Sequence, residues 1–200
     1  MKALRNKTLD ISAEEGKEYL KRCVTVDRPV EKNEILNKTI LGDSMAVLDF
    51  LPREFADLLI VDPPYNMNKE FGETTFHKIS AEEYEEYTES WIKKVLPLLK
   101  KTASVYVCCD WESGMVIGSV LQKYFTLRNR ITWQREKGRG AKSNWKNGME
   151  DIWFATLSND YYFNVDGVKI RRKVLAPYKE NGQPKDWKET EDGKFRDTFP

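Results

Sequence analysis

The sequence predicts an α/β fold with a mostly parallel sheet that helices cover on both faces. Two observations lead to this prediction. Segments of helical periodicity alternate with short apolar segments, which is the order of βαβ units. The apolar segments at 56–61 and 103–109 have little polar alternation, as expected for strands buried on both faces of a parallel sheet.

The individual elements follow from apolar spacing, breakers and caps. The predicted strands are residues 56–61, 103–109, 127–133, 151–157 and 161–163. The predicted helices are residues 45–51, 80–98 and 112–125. Ser80 and Glu83 have the form of a capping box at the start of the second helix, and Pro52 ends the first. Residues 66–79 are predicted to be a loop.

The composition indicates a globular chain of ordinary character. The 200 residues are 40% hydrophobic and 32% charged, with a net charge of +1, which excludes collagen-like, disordered and disulfide-stapled chains. No apolar run approaches the roughly 20 residues that span a bilayer, and the N-terminus lacks the apolar core of a signal peptide. The three cysteines, two of them adjacent, suit a reducing compartment. We therefore expect a cytoplasmic protein without a membrane partner.

Three segments make up the predicted organisation. Residues 1–34 are polar and weakly periodic and form an N-terminal extension. Residues 35–165 carry the regular pattern and form the body. Residues 166–200 form a polar tail without predicted strands or helices.

Basic side chains concentrate in one part of the body. Residues 128–150 hold seven basic and two acidic side chains, whereas residues 1–127 carry a net charge of −4. A basic loop beside an acidic body favours contact with a polyanion, and a solvated loop is an equally good explanation of the charge alone. The candidate contacts are Arg135, Lys137, Arg139 and Lys142.

The sharpest motif is Asp62-Pro63-Pro64-Tyr65, at the carboxyl end of a predicted buried strand. A strand-ending turn is the simplest explanation. The chemical interpretation is that two prolines stiffen the turn, so that the Asp62 carboxylate and the Pro63 carbonyl become neighbouring acceptors beside the Tyr65 ring. That combination suits a planar base with an exocyclic amine. Each hydrogen bond to a charged acceptor is worth about 1.5–3 kcal/mol, and the ring can stack on a base flipped out of a duplex.

These residues resemble those of the DNA amino-methyltransferases, which methylate adenine N6 or cytosine N4 with S-adenosylmethionine. The resemblance rests on the Asp62–Tyr65 motif and on Leu41-Gly42-Asp43-Ser44 before it. The later segments at 130–133, 150–154 and 161–164 are similar as well. The resemblance covers residues 35–165, which are therefore the predicted, partial catalytic domain. It implies that the tail at 166–200 leads into either a target-recognition segment or a missing C-terminal segment.

The resemblance implies a Rossmann-like methyltransferase fold and assigns roles to residues. Asp62, Pro63, Pro64 and Tyr65 match the catalytic motif, and Asp43 and Asp62 match positions near the cofactor. The implied substrate is double-stranded DNA. Because members whose motif begins with Asp commonly methylate adenine N6, that is the predicted reaction. Cytosine N4 methylation is the alternative, and a catalytically silent DNA-binding remnant or half of a split enzyme is the rival.

The sequence departs from the family pattern at the cofactor site. The family places a glycine-rich turn between an apolar strand and a helix. The only close pair of glycines here, Gly138 and Gly140, lies in the basic loop instead. We therefore expect an incomplete fold, whose glycine turn comes from a missing C-terminal segment or from a second chain.

Other reactive side chains are expected to have structural roles. Cys108 and Cys109 lie inside an apolar segment, which favours packing over nucleophilic chemistry. His77 is the only histidine and has no ligand-spaced partner, so no metal site is predicted. Asp110 and Glu112 follow a strand end, where they either line the pocket or cap the next helix.

Overall fold

The computed structural model describes residues 10–71, 74–139, 143, 145, 147–175 and 178–198, without the side chains of residues 71, 74 and 136–139. Contacts divide the chain into two units, Met1–Tyr161 and Tyr162–Pro200. The helices are α1 (Ala13–Leu20), α2 (Lys32–Ile35), α3 (Ser44–Val47), α4 (Ala81–Val95) and α5 (Ser113–Tyr124). The strands are β1 (Ala56–Val61), β2 (Lys69–Phe71), β3 (Thr74–Phe76), β4 (Leu99–Cys109), β5 (Thr126–Arg139), β6 (Asn147–Thr156), β7 (Ile170–Lys173), β8 (Lys179–Glu180), β9 (Gln183–Pro184), β10 (Lys188–Thr190) and β11 (Gly193–Thr198).

The main sheet of the first unit has the spatial order β1-β4-β6-β5. β1 pairs in parallel with β4, with Leu59 opposite Val105, and β6 is antiparallel to both β4 and β5. Three of the four strands therefore run in one direction. The short connection over residues 140–146 imposes antiparallel pairing of β5 and β6, because parallel neighbours need a long crossover. The predicted α/β class is confirmed, and the sheet is mixed.

One face of this sheet packs on α4 and α5 and forms the core. Ala103, Val105 and Val107 of β4 are fully buried, together with Ile92 of α4 and Leu121 of α5. Their alternation along β4 places them on one side of the sheet. Burial of this apolar surface is the main stabilising contribution to the unit.

The predicted burial of β1 on both faces is wrong. Leu58 and Ile60 are 54% and 67% exposed, and β1 is an edge strand of the described sheet. Ile131 and Trp133 of β5 are also exposed. In the part of the chain that the structure describes, the helices cover one face of the sheet, and the apolar side chains of β1 that point away from them remain in contact with solvent.

Several predicted loops contain strands, because polar sequence hides short hairpins. β2 and β3 pair within the predicted loop 66–79, with Lys69 opposite Phe76. β5 continues to Arg139, so Arg135 lies on a strand and not in a loop. The predicted strand at 161–163 is wrong, since Tyr161 contributes a side chain edge-on to Phe154 instead.

The second unit corrects the prediction of a tail without strands. β10, β11 and β7 form an antiparallel sheet in that order, and β8 pairs with β9. Trp187 is buried, and its indole N–H donates to the Tyr178 carbonyl at 2.7 Å. The strands of this unit are exposed at most positions. Their sequences are correspondingly polar and lack the apolar alternation by which a strand is predicted.

The N-terminal segment contains two helices and a small core of its own. Val26 and Ile35 are buried with Val47 of α3. Val24 and Ile40 form an isolated parallel bridge, which is the only ladder contact that the structure records for the short apolar segment at 39–41. The segment before residue 35 therefore packs on the body through these contacts.

Candidate active site

The corner formed by Asp62-Pro63-Pro64-Tyr65 follows β1 directly, and two helices hold it. The Tyr84 hydroxyl on α4 donates to the Pro64 carbonyl at 2.9 Å. The Asn66 backbone N–H donates to Ser113 Oγ on α5 at 3.0 Å. Tyr84 and Ser113 are positioning residues that sequence reasoning missed, because apolar periodicity places them in the helices without identifying their partners.

The Asn66 side chain closes the following loop beside the corner. Its Nδ2 donates to the Ile79 carbonyl at 2.9 Å, and its Oδ1 accepts from the Ile79 N–H at 2.9 Å. These two hydrogen bonds have the same donor and acceptor pattern as a backbone bridge, and they join residue 66 to residue 79. The hairpin of β2 and β3 is thereby held next to the corner.

A cavity of about 420 Å³ opens on this corner. Asp62 is exposed and Tyr65 is half-buried, and both line the cavity. Residues from three other segments complete its walls, including Met67, Phe76, Arg135 and Glu150. The structure thus brings the whole predicted motif to one cavity, and Tyr65 lies outside the hydrophobic core cluster.

The phenol of Tyr65 is held neutral. Burial raises the pKa of Tyr65 well above its usual value, and a hydrogen bond with Asp62 and the negative charges of Asp62 and Glu150 raise it further. A neutral phenol at the cavity wall keeps its ring available for stacking on an aromatic ligand. A carboxylate beside that ring is an acceptor for amine hydrogens.

The two adjacent cysteines differ in their surroundings. Burial raises the pKa of Cys108, and the charges of Asp62 and Glu150 add to this effect. Cys109 is fully buried, its Sγ donates to the Asp151 carbonyl at 3.5 Å, and burial raises the pKa of its thiol to about 12. Thiols with raised pKa values are poor nucleophiles at neutral pH, which agrees with the structural role expected for both.

The predicted acidic residues lie in different places. Asp43 is exposed, and its Oδ1 caps α3 by accepting from the Met45 N–H at 2.8 Å. Its position near a cofactor remains a prediction, since Asp43 is not among the residues lining the cavity at Asp62. Asp110 Oδ1 accepts from the Ser113 N–H at 2.8 Å, so it caps α5, and it also lines the adjacent cavity. Glu112 forms an ion pair with Lys78.

The predicted DNA contacts are only partly described by the structure. Arg135 projects into the wall of the cavity at Asp62 and pairs with Glu150. Lys137 and Arg139 belong to β5, but their side chains lie outside the described part of the chain, as does the whole of Lys142. Their role therefore stays a prediction.

The described residues do not fit a complete S-adenosylmethionine site. The turn between β4 and α5 consists of Asp110, Trp111 and Glu112, and none of the described turns from a strand into a helix is rich in glycine. Gly138 lies within β5, and Gly140 is outside the described residues. Within those residues, no group of three or more His, Cys, Asp or Glu side chains could hold a metal ion. None of the described helices is long and apolar enough to cross a membrane.

Comparisons with known proteins agree with this geometry. The model of a family of N6/N4 methyltransferases, described as DNA methylase, matches residues 56–199. The chain is 31% identical over 156 residues to DNA adenine methyltransferase YhdJ of Escherichia coli, covering 72% of this chain and 51% of that protein. It is 30% identical over 137 residues to Type II methyltransferase M1.MboII of Moraxella bovis, covering 68% of this chain and 52% of that protein.

A solved structure supports the same fold. The PvuII DNA methyltransferase, which is cytosine-N4-specific, superposes with a TM-score of 0.53 at 18% sequence identity, covering 64% of this chain and 52% of that chain. At this identity the similarity concerns the fold alone. The chain spans about half the length of the curated relatives it matches.

Proposed function

Because this chain belongs to the N6/N4 family of DNA methylases, we propose that it forms the target-base half of a DNA methyltransferase acting on the N6 amine of adenine. The observation that carries the proposal is the proline-locked corner at the cavity wall, with Asp62 exposed to the cavity and Tyr65 half-buried beside it. We also propose double-stranded DNA as the substrate and the cytoplasm as the location of the protein.

Different residues of the corner bind the amine and the ring of the base. The Asp62 carboxylate and the Pro63 carbonyl accept the two hydrogens of the exocyclic amine, which localises the nitrogen lone pair. The neutral Tyr65 ring stacks on the base and offsets part of the cost of unstacking it from the duplex. S-adenosylmethionine, the methyl donor of this family, would supply the activated methyl group when bound, and Asp62 and Pro63 would hold the amine nitrogen that receives it. Orientation of the amine contributes the remaining acceleration.

Adenine is favoured over cytosine by two observations. The motif begins with Asp62, which by family resemblance is commoner among adenine-N6 enzymes. The relative at 31% identity is named as an adenine methyltransferase, whereas the cytosine-N4-specific structure shares 18% identity and supports the fold alone. Cytosine N4 methylation remains the second candidate, because the matched family includes both N6 and N4 methyltransferases.

The reaction can be tested without knowing the recognition sequence. We would incubate the protein, together with the polypeptide segment that completes its cofactor site, with DNA from methylation-deficient cells and isotopically labelled S-adenosylmethionine. The modified nucleosides would then be identified by mass spectrometry. The expected product is N6-methyladenine, and Asp62→Ala and the isosteric Asp62→Asn should reduce its rate of formation by about 10- to 150-fold, which corresponds to the loss of one charged hydrogen-bond acceptor. N4-methylcytosine as the product would establish the second candidate, and full activity of both variants would remove Asp62 from the mechanism.

We further propose that the glycine-rich cofactor turn comes from another polypeptide segment, in the same chain or in a second one, that adds beside β1. β1 is an edge strand of the described sheet, and the exposed Leu58 and Ile60 lie on its open face. Both features support the proposal, because strand edges and exposed apolar patches are usually covered. Calorimetry of S-adenosylmethionine binding to residues 1–200 is the test. Tight binding by these residues alone would contradict the proposal.

A further inference from the structure

The ion pair between Arg135 and Glu150 occupies an unusual position at the proposed base site. Arg135 Nη1 and Glu150 Oε1 are 2.6 Å apart across the β5–β6 pairing, where Glu150 lies opposite Trp133. Both side chains line the cavity that contains Asp62 and Tyr65. Both also line the adjacent cavity that contains Asp110. The ion pair is therefore part of the lining that the two cavities share.

The two partners are unequally exposed. The Arg135 side chain is 57% exposed, whereas that of Glu150 is 29% exposed. The negative charge of Glu150 contributes to the raised pKa values of Tyr65, which lines the same cavity, and of Cys108. Glu150 is thus the less exposed partner of the pair, and the Arg135 guanidinium is the more exposed one at the wall of the cavity.

The chemistry of this arrangement suits an anionic ligand outside the cavity. A guanidinium presents five N–H donors in a rigid plane, and a single contact through Nη1 leaves the Nη2 edge for a second acceptor. A phosphate diester matches that edge with two parallel hydrogen bonds. When a base lies on Tyr65, its own backbone phosphates must pass the mouth of the same cavity.

We propose that Glu150 is a positioning residue that holds Arg135 at the cavity mouth, where the guanidinium binds a phosphate of the nucleotide whose base lies on Tyr65. This inference rests on the proposed function and assigns a new role to Glu150. Arg135 touches the substrate, and Glu150 acts through Arg135.

The competing explanation is an ordinary cross-strand surface pair, and the two explanations predict opposite effects of one substitution. Removing an acidic side chain near bound DNA normally strengthens binding, because it removes repulsion from phosphate. If Glu150 positions Arg135, Glu150→Gln weakens binding instead. The glutamine keeps the size of the side chain and one oxygen acceptor, removes the charge, and places an NH2 donor where the second oxygen was.

The experiment measures the affinity of the full chain for a generic DNA duplex by fluorescence anisotropy over a range of salt concentrations. Arg135→Gln should reduce the slope of log K against log salt by about 0.9, the contribution of one phosphate contact, and weaken binding about tenfold near physiological salt. Arg135→Lys should retain the slope. Glu150→Gln should shift binding in the same direction as Arg135→Gln, and the double variant should be no weaker than Arg135→Gln alone.

A matched control is available on the helical side of the unit. Glu85 pairs with Lys123 at 2.7 Å between α4 and α5, with both side chains 42% exposed. Glu85→Gln should leave the salt slope unchanged. Thermal unfolding of each variant verifies that it is folded.

Two outcomes would overturn the inference separately from the proposed function. If the wild-type chain binds DNA and Arg135→Gln leaves the slope unchanged, Arg135 does not bind phosphate. If Glu150→Gln strengthens binding, Glu150 only repels the DNA and does not position Arg135. The methyl-transfer assay provides the distinction, because the product of the wild-type protein tests the proposed function, whereas the salt slopes of the Arg135 and Glu150 variants test this inference. A wild-type chain that binds no DNA would remove both proposals.

Discussion

At the scale of single residues, the corner at Asp62 depends on groups that lie far away in the sequence. Tyr84 bonds the Pro64 carbonyl and Ser113 bonds the Asn66 N–H. Proline supplies stiffness within the turn, since it restricts its own φ and the residue before it. Stiffness alone does not orient the turn relative to the rest of the protein, and these two hydrogen bonds do.

Tyr84→Phe should weaken both stability and catalysis. The Pro64 carbonyl would lose its partner, which should lower the free energy of unfolding by about 1 kcal/mol, and the less restrained corner should transfer methyl groups more slowly. Urea unfolding and the methyl-transfer assay measure the two effects. Tyr87→Phe, which removes the hydroxyl of the ring stacked on Tyr84 at 5.9 Å, is the matched control. Equal losses in the two variants would argue against a specific role for Tyr84.

The buried Cys109 thiol should make stability depend on alkaline pH. Its pKa rises from 9.0 to about 12 in the folded protein, with burial as the largest cause. A raised pKa in the folded state means that the stabilisation is complete below pH 9 and is lost as pH rises toward 12. At a pH about 1.5 units above the unfolded pKa, the loss should be about 2 kcal/mol. Cys109→Ala should flatten this slope in urea unfolding measured from pH 8 to 10.5, and an unchanged slope would contradict the assignment.

At the scale of elements, helix α4 has a start that the sequence predicts and a buried face that packs against the sheet. Ser80 Oγ accepts from the Glu83 N–H at 3.1 Å, and Glu83 Oε2 accepts from the Ser80 N–H at 2.9 Å, as the capping box predicts. The helix then buries Trp91, Ile92 and Val95 against the sheet. The first turns of α4 also carry Tyr84, which bonds the Pro64 carbonyl. The capping box that begins the helix therefore also positions the residue that holds the corner at Asp62.

Ser80→Ala should lower the free energy of unfolding by about 1 kcal/mol, the usual value for an N-cap. The matched control is Ser12→Ala, because Ser12 and Glu15 form the same capping box at α1, which has no buried residues. Fraying of α1 exposes no core, so the control should have a much smaller effect on global unfolding. Chemical denaturation followed by circular dichroism compares the two, and equal destabilisation would show that α1 unfolds together with the core.

The sequence predicts strands β5 and β6 but not that the end of β5 lines the cavity. The aliphatic and aromatic residues of both strands predict them, but the polar end of β5 resembles a loop. Pairing with β6 extends β5 past Gln134, which lies opposite Met149. This extension carries Arg135 to the cavity, and a sequence pattern that is local cannot specify such a register.

At the scale of the whole molecule, the first unit leaves apolar surface uncovered. Leu58 and Ile60 project from the edge strand β1, and an exposed apolar edge is a template for pairing with another chain. The chain also spans about half the length of the relatives it matches. The two features are independent, since one comes from sequence length and the other from packing.

The exposed edge predicts self-association of the isolated chain. The wild-type protein should form larger species as its concentration rises, and Leu58→Lys combined with Ile60→Lys should remain monomeric, because charge on an edge strand opposes pairing. Analytical ultracentrifugation measures this difference. The substitutions lie at exposed positions, so the free energy of unfolding should change by no more than about 0.5 kcal/mol. Thermal unfolding checks this. A wild-type chain that stays monomeric at every concentration would contradict the prediction.

Local patterns in the sequence were sufficient for the α/β class, the main helices, the strand before Asp62 and the motif itself. These features depend on residues close together in the chain, where periodicity, caps and prolines act directly. The edge position of β1, the strands among residues 162–200 and the meeting of Arg135 and Glu150 with Asp62 required the folded structure. They depend on which distant segments pair and pack, and contacts between distant segments have no signature in a single local window of sequence.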